Sequence, residues 1–150
     1  FEIWGAFLNG ATLVVFDQIQ VIETQQFANK ICQSKLDFAF ITATLFNFMV
    51  ETYPRDIVSI RHLLVGGEAL SPRASQLFFK AQNKVPSNLK SRLYNAYGPT
   101  ECTTFSLCHA LDESRLDEYL QVGRIPIGVC IGELRSTGPL ARQVSNRLEG

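Results

Sequence analysis

An α/β fold, built from βαβ units on a mainly parallel sheet, is predicted for this chain by three observations. Short apolar runs of strand length alternate with apolar positions recurring at helical spacing. Clusters of glycine and polar residues follow directly after two of those runs, where open parallel sheets place their ligands. The length of 150 residues and the 46% hydrophobic content suit about one domain with a core of its own.

The elements follow in order. Phe1 to Gly10 carries an apolar helical pattern, and Ala11-Thr12-Leu13-Val14-Val15-Phe16 reads as a buried strand. Phe27, Ala28, Ile31 and Cys32 recur at helix spacing, and Leu36-Asp37-Phe38-Ala39-Phe40-Ile41 returns to strand. Leu45, Phe46, Met49 and Val50 give the next helix face, and His62-Leu63-Leu64-Val65 a strand that stops at Gly66-Gly67. Ser71-Pro72 is a helix start, serine as N-cap and proline in the first turn, with Ala74, Leu77, Phe78 and Ala81 along one face. Arg92-Leu93-Tyr94-Asn95 completes the alternation as a strand, and Asp112 to Glu118 reads as a solvated loop or short helix. No internal repeat, low-complexity tract or linker interrupts the pattern.

Charge and composition exclude several partners. Fourteen basic and fourteen acidic residues cancel, and no basic stripe of the kind that follows nucleic acid or anionic lipid is present. No apolar run approaches the roughly 18 residues of a membrane span, and no signal-peptide pattern opens the chain. Cys32, Cys102, Cys108 and Cys130 lack paired C-x-x-C spacing and have only His62 and His109 to help them, so reduced cytoplasmic thiols packing as small hydrophobes are expected over a metal site. The chain begins at Phe1 inside a helical pattern and its one methionine is Met49, which reads as a fragment or a processed chain.

The run Asn95-Ala96-Tyr97-Gly98-Pro99-Thr100-Glu101 concentrates chemistry at a strand end. Asn95 can read a purine edge and Tyr97 offers a flat face and a hydroxyl. Gly98 lets backbone approach a ligand and Pro99 stops the strand. Thr100 can donate to a phosphate oxygen, and Glu101 is a hard oxygen ligand of the kind Mg²⁺ takes when it also bridges phosphates. The same residues could instead build a turn between two strands.

The run also resembles the core motif of adenylation domains of nonribosomal peptide synthetases, in the superfamily of acyl-adenylate-forming, AMP-binding ligases. Three more stretches resemble that family in its own order. Phe1-Glu2-Ile3-Trp4-Gly5-Ala6-Phe7-Leu8-Asn9-Gly10-Ala11 is similar to the helix and turn after its first substrate-pocket motif. Leu63-Leu64-Val65-Gly66-Gly67-Glu68-Ala69-Leu70-Ser71-Pro72 is similar to its strand-turn-helix beside the nucleotide, and Val122-Gly123-Arg124-Ile125-Pro126-Ile127-Gly128 to the loop leaving its large subdomain. The resemblance covers residues 1–128 and implies an internal fragment of the large N-terminal subdomain of an adenylate-forming enzyme.

What the resemblance implies is a reaction of ATP and an amino acid, giving an aminoacyl-adenylate whose acyl group passes to the phosphopantetheine thiol of a carrier domain. Carrier and condensation domains of the same synthetase are the implied partners, with no nucleic acid and no membrane. Asn95 would contact adenine, Tyr97 would stack on it, and the backbone of Gly67 and Glu68 would flank it, with Ala96 and Gly98 in the same wall. Thr100 and Glu101 would be the catalytic residues, Thr100 touching phosphate and Glu101 holding Mg²⁺. The substrate pocket would fall on Phe1, Ile41, Leu64, Gly66, Ala96, Thr104 and Phe105. None of these is charged, so a charged amino-acid side chain would be desolvated without a partner, and an aliphatic amino acid such as valine, isoleucine or leucine is expected.

By the same resemblance, the family's glycine-rich phosphate loop and amine-clasping aspartate precede Phe1, and its ribose-binding aspartate, hinge and catalytic lysine follow Gly150, so the chain alone is expected to be inactive. Residues 129–150 depart from the pattern. Gly132-Glu133-Leu134 resembles a later motif reached too soon, and Leu140-Ala141-Arg142 is followed by Gln143-Val144 where Gly-Tyr is expected. A deletion, a mis-joined exon or a sequence error would each produce this. Two other functions fit the motifs: another adenylate-forming enzyme such as an acyl-CoA ligase, and a non-catalytic truncated remnant.

Overall fold

The computed structural model of the chain describes residues 2–17, 23–99 and 104–131. Helix α1 spans Glu2–Leu8, α2 Thr24–Ser34, α3 Ala43–Thr52, α4 Pro54–Ile57, α5 Pro72–Gln82 and α6 Leu116–Val122; strands β1 Phe38–Thr42, β2 His62–Gly66, β3 Arg92–Tyr97, β4 Leu107–Ala110 and β5 Val129–Cys130 form one sheet in the order β1-β2-β3-β4-β5. The first two pairings are parallel and the last two antiparallel, so the sheet is mixed. The change of direction has a simple cause. The β1–β2 and β2–β3 connections carry helices long enough for a crossover, whereas β3 and β4 are too close in sequence for one and pair antiparallel.

Local chemistry fixes where the helices begin. The Thr42 hydroxyl accepts from Leu45 N at 3.3 Å and starts α3. Ser71 accepts from Ala74 N at 3.3 Å ahead of Pro72, the arrangement read from the sequence. Helix α6 ends at Gly123, whose φ of 73° gives the left-handed cap.

The crossover helices lie on the same face of the sheet as the core. Phe27, Ala28 and Ile31 of α2, Phe46 and Met49 of α3, and Phe78 and Phe79 of α5 pack with Ile41, Leu63, Val65 and Leu93 of the strands and with Tyr119 of α6. Phe46 and Phe78, both fully buried, meet with ring centroids 5.8 Å apart. The opposite face carries a smaller cluster of Leu64, Tyr94, Ala96 and Cys108, against which Phe40 and Phe105 pack.

Two expectations are corrected. Residues 11–17 are not a strand: Val15 is exposed, and the segment is held by Lys30 Nζ donating to Val15 O at 2.8 Å and by Phe16 packing on Phe27. An apolar run becomes a strand only by pairing, and no strand lies beside it among the described residues. Cysteine packing divides as well. Cys108 is buried, its thiol pushed up to about 11 by desolvation, while Cys32 and Cys130 are exposed and Cys102 lies outside the described residues. The loop or short helix expected at 112–118 is a 3₁₀ turn, Glu113–Arg115, running into α6. No helix among the described residues is long and apolar enough to cross a membrane.

Both histidines are tied to tyrosines. His62 Nδ1 lies 3.1 Å from the Tyr94 hydroxyl, and His109 Nε2 lies 2.9 Å from the Tyr119 hydroxyl. Burial lowers the pKa of both rings, reinforced at His62 by Arg92 and Arg61 and at His109 by Arg115. The folded chain therefore binds fewer of these protons than the unfolded chain. This contribution to stability is full above the ordinary histidine value of 6.5 and is lost as pH falls through the lowered values. In urea unfolding of the chain from pH 7.5 to 5, the His62→Gln/His109→Gln double variant is expected to lose less stability than the parent over that window; equal losses would refute the assignment.

Candidate functional site

The parallel register brings the ends of β1, β2 and β3 level, pairing Thr42 with Gly66 and Gly66 with Ala96. The described segments 66–68 and 98–99, separated by some thirty residues of sequence, thus leave the sheet at the same edge. Glycine is required there for two reasons. A Cβ on Gly66 would run into the carbonyl oxygen of Ala96, and one on Gly98 would lie 2.5 Å from Thr104 O and 2.7 Å from Phe105 Cα. Gly67 then turns the chain away from the sheet with φ 86°.

Alternation along the strands sorts the site residues onto two faces. Leu64 and Ala96 are buried on the face opposite the crossover helices, in register with Gly66, and Phe105 reaches the same cluster, its ring 4.9 Å from that of Phe40 in an edge contact. Thr104 is half-buried beside Phe105. Asn95 and Tyr97 belong to the other parity. Asn95 is buried, 5% exposed, and its Nδ2 donates to Pro126 O at 2.8 Å; a carbonyl can only accept, so the amide orientation is fixed. Tyr97 is half exposed, and its backbone carbonyl accepts from Ser106 N at 2.9 Å. Gly67 and Glu68 are exposed at the same edge, with the Glu68 carboxylate accepting from Thr44 Oγ1 at 2.9 Å.

Not every expected residue joins this assembly. Ile41 points to the helix-packed core, because β1 alternates in step with β2 and Ile41 pairs with Val65 rather than Leu64. The neighbour one position back, Phe40, pairs with Leu64 and shares its face. The strand alternation Phe40, Leu64, Ala96 was the signal in the sequence that could have found it. Phe1, Thr100 and Glu101 lie outside the described residues. No group of three or more histidine, cysteine, aspartate or glutamate side chains that could hold a metal occurs among the described residues. A polar cavity of about 310 Å³ lies at the far, amino-terminal end of β2 and β3, lined by Arg61, His62, Gln82, Lys90, Ser91 and Arg92, and none of the expected site residues borders it.

Fold and loop placement define an α/β protein with its candidate ligand site at the carboxyl ends of parallel strands. Residues 1–132 match the AMP-binding enzyme family. Tyrocidine synthase 3 of Brevibacillus parabrevis is 35% identical over 125 residues, 83% of this chain, and the chain spans 2% of that protein's length. Among solved structures, PA1221, an NRPS protein containing adenylation and PCP domains, superposes with a TM-score of 0.66 at 34% identity over 86% of this chain and 24% of its own. The Klebsiella oxytoca NpsA N-terminal subdomain shares the fold, with a TM-score of 0.64 at 20% identity over 86% of this chain and 31% of its own. The chain belongs to the AMP-binding enzyme family, and within it is a segment of an adenylation domain of the nonribosomal peptide synthetase kind.

The steric argument at Gly98 gives an expected outcome. Gly98→Ala must displace the backbone at Thr104 and Phe105, a kind of overpacking that costs about 1–3 kcal/mol. Urea unfolding should show that loss, and displacement of Phe105 from Phe40 should appear in the aromatic proton shifts. An alanine variant with parental stability and unshifted Phe105 resonances would show that the close approach is relieved without consequence.

Proposed function

We propose that, in the complete protein, this segment supplies one wall of a site that activates an aliphatic amino acid with ATP and hands it to a carrier domain. The observation that carries the reading is the two-sided tip of β3. Ala96 alternates toward Leu64, Gly66 and the Phe40–Phe105 pair, an apolar and uncharged lining, while Asn95 and Tyr97 alternate away from it. A side chain and a purine could therefore be held on either side of one strand end, with their reacting groups meeting at the tip.

Asn95 has a defined task in this scheme. With Nδ2 donated to Pro126, its amide oxygen is the atom left for a ligand, and an acceptor matches the 6-amino group of adenine. The exposed ring of Tyr97 is available for stacking on the base, and the backbone of Gly67 and Glu68 for flanking it. Thr100 and Glu101 follow on the chain immediately beyond Pro99, and we assign Thr100 to phosphate and Glu101 to Mg²⁺. Bound at Glu101, the ion would neutralise charge on the phosphate oxygens.

The reaction is an in-line substitution. A carboxylate oxygen of the amino acid forms a bond to the α-phosphorus as the bond to the β-phosphate bridging oxygen breaks, and the electron pair leaves with pyrophosphate. The phosphopantetheine thiolate of a carrier domain then attacks the acyl carbon and AMP leaves. The apolar lining selects by exclusion, since a charged side chain placed among Leu64, Ala96 and Phe105 would lose its hydration without gaining a partner.

Two measurements on the complete domain test this. Glu101→Ala should lower amino-acid-dependent ATP–pyrophosphate exchange by about 100-fold or more, the scale of losing one electrostatic contact to the transition state, with the fold intact by circular dichroism; exchange near the parental rate across a range of Mg²⁺ would overturn the metal assignment. Aliphatic amino acids should outperform aspartate and lysine in the parent. Phe40→Ala should shift preference toward bulkier side chains by about tenfold or more, at least the scale of one methylene of substrate, while Ile41→Ala should reduce stability and leave preference alone. The reverse pattern would return the pocket to Ile41.

A further inference from the structure

The loop that follows β2 has no strand partner beyond Gly66, yet it must keep a defined shape if its backbone is to face a ligand. Gly66 is held by its close approach to Ala96, and Gly67 leaves the sheet with a positive φ that few other residues adopt. The next residue, Glu68, is exposed and would be free to swing, except that its carboxylate accepts a hydrogen bond from Thr44 Oγ1 at 2.9 Å. Thr44 lies in the first turn of α3, on the element that follows the neighbouring strand β1, 24 residues away.

The geometry of that first turn makes the contact selective. Thr42 is the residue that caps α3, its hydroxyl accepting from Leu45 N, so the Thr44 hydroxyl is not consumed in capping the helix and is turned to Glu68 instead. A carboxylate beside the opening turn of a helix also meets the favourable end of the helix dipole. With the Glu68 side chain drawn toward α3, the backbone of residues 66–68 stays against the carboxyl ends of the strands, at the level of Ala96.

We propose that Thr44 is a positioning residue for the nucleotide: its hydroxyl anchors Glu68 and thereby holds the Gly67–Glu68 backbone in the shape that flanks the base. Thr44 touches no reacting atom. The inference rests on the nucleotide assignment made above for Gly67 and Glu68, and it predicts an effect on ATP that is separable from any effect on the amino acid, whose lining lies on the other face of β3.

The test is steady-state exchange kinetics of the complete domain with ATP and amino acid varied in turn. Thr44→Val keeps the shape of the side chain and removes the donor; it should raise the KM for ATP roughly three- to tenfold, leave the KM for the amino acid within twofold, and leave the melting temperature close to the parent's. Thr44→Ser should restore the parental KM for ATP. Glu68→Gln retains an acceptor oxygen and should be milder than Glu68→Ala, and Thr44→Val combined with Glu68→Ala should be no worse than Glu68→Ala alone. An unchanged KM for ATP in Thr44→Val, an equal rise in both KM values, or failure of serine to rescue would overturn the positioning role. A parent domain that shows no ATP-dependent exchange would instead defeat the functional assignment itself, so the two failures are distinguishable.

Discussion

Side-chain alternation, locked by the register of three parallel strands, is the constraint on which the rest of this structure depends. Because Thr42, Gly66 and Ala96 end level with one another, every odd-even choice made along β1 is copied onto β2 and β3. One residue of slip on any strand would exchange the core face for the site face throughout that strand. The helix-packed cluster enforces the register from one side. Leu63, Val65 and Leu93 are fully or almost fully buried beneath Phe46, Met49 and Phe78, and no polar group on the other parity could replace them there without losing its hydrogen bonds.

That enforcement explains why the site can be built from short, polar, glycine-rich loops. Segments 66–68 and 98–99 contribute little apolar burial of their own, and Gly66 and Gly98 in fact remove side chains so that backbone can pack on backbone. Their shape comes from what they are attached to: a level strand edge beneath them, the return segment at Thr104 and Phe105, and side-chain ties to other elements. Asn95 to Pro126 and Thr44 to Glu68 are two such ties, each joining the strand edge to an element distant in sequence. Rigid strands with loops held at their tips are a general way of placing binding groups without committing core residues to chemistry.

Much of this was legible in the sequence where the signal is local. The β2 run stopping at Gly66-Gly67 and the Ser71-Pro72 start of α5 each depend on residues within a few positions of one another, and both were read correctly. Legibility failed where the property is a relation between distant segments. Leu13-Val14-Val15 has the composition of a strand, but a strand exists only with a partner, and composition carries no information about who the partner is. Ile41 and Phe40 are equally apolar neighbours; which of them meets Leu64 is decided by the β1–β2 register, and that register is invisible in either segment alone. The antiparallel pairing of β4 with β3 is likewise a relation that no apolar pattern announces.

The run Asn95 to Pro99 shows how the two levels combine. Its residue types can be matched to chemistry from the sequence, but a list of types does not separate Asn95 and Tyr97 from Ala96. The pleat does, by turning adjacent residues to opposite faces within about 3.3 Å of chain. A site that joins two substrates needs this kind of separation at close range, because the binding groups must not compete for one volume while the reacting atoms must come within contact distance. A helix would spread the same residues around a cylinder and a flexible loop would leave their relative positions unfixed. The end of a central parallel strand, flanked by β2 on one side and β4 on the other, supplies both the separation and the rigidity.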